Sequence, residues 1–289
     1  MKNIFKHSLI LLFLSFSTMI SGQAVAQGAY DFTGAQYNGV SIQLSEYVNN
    51  SRGLHFSPDG TKFYHVARTS MNIVEFKMST PWDISTAKYS GEYSLTPTVG
   101  VNHERPRPHG LFINNENGQE MYLVNRTEVM QYFMEEPWNI KTTKHVKTRD
   151  MRLATSRLHD LFMSPDGGRM FIDDRENFCV YQFRMDMIWD IDDLRLEYML
   201  DLADMDSPRG MEFKPDGTRL FMVDQGARTL KVFDLEEPWN LRTAVRREDM
   251  DFMVARQTPN PRGLVWAKDG KRFYVVCNTN DTIFQYDIP

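Results

Sequence analysis

Cysteine is almost missing: Cys179 and Cys277 are the two in 289 residues, so no disulfide framework holds this chain together. Positive charge is also in short supply, with 33 Lys and Arg against 38 Asp and Glu for a net charge of −5. That balance argues against general nucleic-acid binding, which needs a basic footprint. Beyond the N-terminus no apolar run reaches the ~20 residues of a membrane span. No Pro/Gly/Ser-rich linker divides the chain. No nucleophile elbow, phosphate-binding glycine loop, zinc motif or CxxC pair occurs.

What is present begins with Lys2 and Lys6, an apolar run from Leu9 to Phe16, and Ala24-Val25-Ala26 before Gln27. This pattern reads as a cleavable secretory signal over residues 1–27. The expectation is an exported protein, periplasmic or extracellular, with a mature chain over residues 28–289 and a monomeric state. The leader holds two lysines and no acid, so its removal takes the net charge from −5 to −7.

One unit of roughly 50 residues then recurs five times. Its hairpin turn falls at Asp59-Gly60, Asn117-Gly118, Asp166-Gly167, Asp216-Gly217 and Asp269-Gly270, at spacings of 58, 49, 50 and 53 residues. Asp-Gly and Asn-Gly between short apolar runs signal hairpins, because these residues tolerate the positive φ that the turn needs. A third β run follows each hairpin, such as Ile73 to Phe76. Four of these runs lead into a corner: Trp82-Asp83-Ile84, Trp138-Asn139-Ile140, Trp189-Asp190-Ile191 and Trp239-Asn240-Leu241. A fourth run closes the unit. Four strands per ~50 residues is the arithmetic of a propeller blade.

The fifth copy stops at Asp287-Ile288-Pro289, and its missing corner stands at the other end of the chain. Tyr30-Asp31-Phe32-Thr33-Gly34-Ala35 aligns with Trp82-Asp83-Ile84-Ser85-Thr86-Ala87. The reading is therefore an all-β, five-bladed β-propeller with four antiparallel strands per blade. An N-terminal outer strand completes the last blade and removes two exposed sheet edges. Cys179 and Cys277 then fall in non-adjacent blades and are expected as free, packed thiols. Leu54, Phe56, Leu111, Leu161, Met211, Phe213, Leu264 and Trp266 are expected between blades. The corner tryptophans are expected as scaffold packed between outer strands, with the next Asp or Asn capping a turn.

The Ser57-Pro58-Asp59-Gly60-Thr61-Lys62 hairpin resembles that of bacterial exported propeller repeats, a mixed group that includes lactonase-like and WD-like propellers. The Gly-His start of a WD blade is absent. The resemblance covers the whole mature chain and implies a fold, not an activity.

In an up-and-down blade the Asp-Gly and Trp turns share one face. The loop entering the inner strand and the loop between the second and third strands share the other, where sites usually sit. The position just before the inner strand is Arg52, His109, His159, Arg209 and Arg262. A basic ring at the channel mouth would orient carboxylate, phosphate or sulfate groups through paired N–H donors. His103, Arg105, Arg107, Arg149, Arg152, Arg157 and Arg256 add to it. The histidines are expected to gain charge as pH falls through ~6.5. The bland alternative pairs each cation with an acid such as Glu104, Asp204 or Asp206.

Blade three departs from the pattern. Asp160 stands where the other copies have Gly53, Gly110, Gly210 and Gly263, and Asp173 where they have Val66, Val124, Val223 and Val276. With Asp174 and Glu176 these acids form a candidate calcium site. With His109 and His159, Asp160 is a candidate for acid–base chemistry. The plainer expectation is that the acids neutralise the arginines. Three functions follow: a binding module for an anionic glycan, small anion or cell-surface protein; a lyase or hydrolase acting on an acidic saccharide or lactone; or a structural repeat protein.

Overall fold

A computed structural model describes residues 28–95, 107–152 and 157–289. The chain forms five antiparallel sheets, each ordered from an inner to an outer strand. The inner strands are Ser51–Phe56, Leu111–Ile113, Leu158–Met163, Pro208–Phe213 and Pro261–Trp266. They contact one another in a closed circuit, first to second and so on, with the fifth against the first. The N-terminal strand Gln36–Gln43 pairs antiparallel with Thr282–Asp287 and is the outer strand of the fifth sheet. No helix among the described residues is long and apolar enough to cross a membrane.

The apolar alternation of the first two strands puts the core between blades. Five hydrophobic clusters lie there, each drawing on two neighbouring blades. All eight residues expected between blades are buried, and Cys179 and Cys277 are buried free thiols.

The corners also follow their sequence. Asp83 Oδ1 accepts from Ser85 N at 3.0 Å, and Asn139, Asp190 and Asn240 repeat that cap. The tryptophans differ from expectation. Trp82, Trp138, Trp189 and Trp239 all have φ near +60°, as does Tyr30, which stands in their place in blade five. This left-handed backbone folds the ring back over the hairpin of its own blade. Trp82 N donates to Gly60 O at 2.9 Å, and a Cβ on Gly60 would lie 2.3 Å from the Trp82 indole nitrogen. Only glycine leaves room for the indole there. The aromatic corners therefore face the channel side of the turns, and Trp82, Trp189, Trp239 and Tyr30 line its lower end.

Candidate functional site

The upper end of the channel is where the predicted ring converges. Arg52, His109, His159, Arg209 and Arg262 line one small pocket together with Asp160. The local cause is a β-bulge. In four inner strands the register slips where the ring residue sits, between Ser51 and Leu54, Leu158 and Leu161, Pro208 and Gly210, and Pro261 and Leu264. A bulge re-aims a side chain, here from the blade interior toward the axis. In blade four the residue after it is glycine, because a Cβ on Gly210 would come within 2.2 Å of Arg262 O in the next blade.

Arg52, His109, His159 and Arg209 are buried, and Arg262 is half-buried. Burial first, and then the charges of neighbouring arginines, pull the guanidiniums down, Arg209 to about 8, Arg52 to about 9 and Arg262 to about 10. Among the described residues no ion pair joins any of these three arginines to a carboxylate. Asp204 is spent on Arg246, at 3.0 Å.

A guanidinium only donates, so His159 Nε2, in direct contact with Arg209 Nη1, accepts. The proton of His159 then sits on Nδ1, which lies 2.5 Å from His109 Nδ1, and that nitrogen is also 3.1 Å from Leu158 O. His109 Nε2, Arg52 Nε and Arg262 Nε are all buried with no hydrogen-bond partner among the described residues. Burial and the nearby arginines hold both imidazoles well below their ordinary value. This corrects the expectation that they gain charge near pH 6.5.

The acids of blade three do not gather around a common point. Asp174 Oδ1 accepts from the amides of Arg157, Glu176 and Asn177, a loop-capping role that Asp224 repeats in blade four. Glu176 is exposed and pairs with Arg157 at 3.3 Å. Among the described residues no group of three His, Cys, Asp or Glu could hold a metal ion. Asp160 and Asp173 lie beneath the ring. Asp160 accepts from Leu161 N at 2.9 Å and from Met211 N of the next blade at 3.0 Å, while its own amide donates to Asp173. Burial pushes Asp160 up to about 7, and burial plus the Asp160 charge holds Asp173 well above the carboxylate range.

His103 and Arg105 lie outside the described residues. Arg149 belongs elsewhere: on an outer strand it donates to Ile191 O and Leu194 O of the next blade. Arg152 pairs with Asp150, and Arg256 is exposed. A second tier was missed. Arg68, Arg126 and Arg175 hold one repeat position, two residues beyond Val66, Val124 and Asp173. Their charges act on the ring, on one another, or on both. The repeat alignment that located the ring locates this tier as well.

The fold and the site define a β-propeller with cations concentrated at one mouth of its channel. Residues 30–289 match the family described as "Lactonase, 7-bladed beta-propeller", and the chain belongs to that family. It has five sheets where the family description has seven blades. No curated protein matches it significantly. The β-propeller domain of Cps50 (Swd1) from Myceliophteria thermophila is 10% identical, with 87% of this chain and 99% of that one covered and a TM-score of 0.51. A Lactobacillus plantarum protein is 13% identical over 82% of this chain and 67% of its own, with a TM-score of 0.50. A putative 6-phosphogluconolactonase from Bacteroides uniformis is 14% identical over 79% of this chain, with a TM-score of 0.47. This chain spans 64% of that protein's length. At these identities the likeness shows the fold.

Proposed function

We propose that the upper channel mouth binds the anionic group of a ligand, a carboxylate or phosphate on a sugar acid or acidic glycan. The observation that carries this reading is the pair of buried guanidinium N–H donors without acceptors among the described residues, Arg52 Nε and Arg262 Nε. A buried donor left unsatisfied costs about 1–3 kcal/mol, more when charged, and two around one pocket amount to a site waiting for an acceptor. The pocket has a volume of about 10 Å3, roughly one water-sized group. It takes one oxygen of the anionic group, and the rest of the ligand lies above it toward Arg68, Arg126 and Arg175.

Calorimetric titration with glucuronate, galacturonate, citrate and phosphate, and with glucose as the neutral control, tests this. At least one anion should bind with an affinity that falls with added salt, and glucose should not bind at the mouth. Both imidazoles stay neutral, but Asp160 ionises beneath the ring through about 7 and Arg209 loses its proton toward about 8, so the affinity for glucuronate should fall from pH 6 to pH 8. An Arg52→Gln, Arg209→Gln, Arg262→Gln variant should lose the binding. If no anion binds, or the variant binds as well as the parent, the reading fails.

Lactone hydrolysis is the second reading, favoured by membership of the lactonase family. It needs a group that takes a proton from water, and in the ring His159 Nε2 is engaged by Arg209 while burial and the nearby arginines hold His109 well below its ordinary value, which makes it a weak base. The same geometry therefore favours binding over turnover. Acid release from glucuronolactone, followed at constant pH, separates the two.

A further inference from the structure

The larger cavity is at the opposite, lower mouth of the channel, among the Asp-Gly turns and aromatic corners. Its volume is about 490 Å3, within the ~300–1,000 Å3 usual for small-ligand sites. Four of the five tryptophans face it, namely Trp82, Trp189, Trp239 and Trp266. Its walls are built by repetition. Three residues beyond each ring position the inner strands carry His55, Phe112, Phe162, Glu212 and Val265, all lining this cavity. Phe112 stacks on Trp189 of the next blade with an interplanar angle of 21°, and Phe162 stacks on Trp239 at 15°. His55 stacks in the same way on Trp138, at 10°.

Blade four interrupts this wall. Glu212 stands where its equivalents are aromatic or aliphatic, and it faces Tyr30, the aromatic corner of blade five. Its side chain is half-buried and lines the cavity, and it has no hydrogen bond or ion pair among the described residues. Burial, and then the charge of Asp160, push its carboxyl well above its ordinary value, which favours the protonated form with one O–H and one acceptor oxygen. His55, whose Nε2 lies 3.1 Å from Asn115 Oδ1, is kept neutral by burial, at about 4. The cavity thus pairs flat aromatic walls with the hydrogen-bonding groups of His55, Asn114, Asn115 and Glu212, and Glu116 and Lys268 stand on the hairpin turns that line it. A purely apolar ligand would leave Glu212 desolvated and unpaired at a cost. A ligand of either sign meets both Glu116 and Lys268, whose opposite charges offset each other. A pyranose presents C–H faces for the rings and hydroxyls for the acid.

We propose that this lower chamber is a second binding site, for an uncharged saccharide of one or two pyranose rings, with Glu212 as its hydrogen-bonding anchor. It is independent of the cation ring at the other mouth. Titration of intrinsic tryptophan fluorescence with maltose, cellobiose and diacetylchitobiose tests it, with tetramethylammonium as the charged control. At least one disaccharide should give a saturable change. Glu212→Leu should weaken it at least tenfold, Glu212→Gln should keep it within about threefold, and the triple arginine variant should bind as the parent does. The proposal is overturned if no disaccharide gives saturation, if Glu212→Leu binds like the parent, or if tetramethylammonium binds and the disaccharides do not.

Discussion

Asp160 shows how a single departure from a repeat acquires its own chemistry. Its equivalents are glycine, and it is wedged beneath the cation ring with both oxygens held by backbone amides. Burial outweighs those two bonds and lifts its carboxyl to about 7, from an ordinary 3.8. The folded state therefore holds this proton more tightly than the unfolded chain does. Its contribution to stability is fully present below about pH 4 and is lost as pH rises through about 7, at up to ~1.4 kcal/mol per pH unit. Asp160→Asn has no such proton. The stability difference between parent and variant, measured by urea denaturation, should shift in the variant's favour from pH 5 to pH 8. A difference independent of pH would mean that Asp160 is ionised throughout. The replacement of glycine and valine by Asp160 and Asp173 was visible in the chain. That the two carboxyls bond along the backbone instead of opening toward a shared ion was not, because it depends on the neighbouring blade supplying Met211 N.

At the scale of elements, turn chemistry and hydrophobic alternation carried nearly all the legible information. The five Asp-Gly or Asn-Gly turns, the corner caps and the alignment of Tyr30 with Trp82 are local signals, and local signals survive in one dimension. What one chain of letters hides is side-chain direction. The positive φ at the corner tryptophans turns Trp82, Trp189 and Trp239 toward the channel, so residues read as scaffold also wall a cavity. The same limit placed Arg149 near the mouth, although its outer strand sends it to the next blade. The segment that leads into Gln36–Gln43 offers a sharp test of how the sheet ends are joined. Phe32 is buried and meets Phe221, Phe252, Trp266 and Phe273 at ring-centre distances of 5.0–5.8 Å. Phe32→Ala should cost roughly 3–5 kcal/mol, read as a drop in the urea midpoint, and deletion of residues 28–45 should cost more. A variant that unfolds at the parent's midpoint would show that this segment is not part of the folded core.

For the molecule as a whole, charge is distributed against its own average. A chain with a net charge of −5 gathers three guanidiniums of the ring and three of the tier above it around one channel mouth. Their mutual repulsion is a cost of the folded state that unfolding would release, and a bound anion removes it while binding only the native form. Stability should then be linked to anion concentration. At phosphate a hundredfold above its dissociation constant the gain is about 2.7 kcal/mol, roughly 5–10 °C in the melting midpoint for a chain of this size. Sodium chloride of equal ionic strength should give much less, because screening weakens repulsion without filling the donors. The Arg52→Gln, Arg209→Gln, Arg262→Gln variant carries the repulsion no longer. It should melt above the parent when no phosphate is present and gain nothing when phosphate is added. If phosphate and chloride stabilise the parent equally, or if the variant keeps the phosphate-dependent gain, the ring is not where the anion sits.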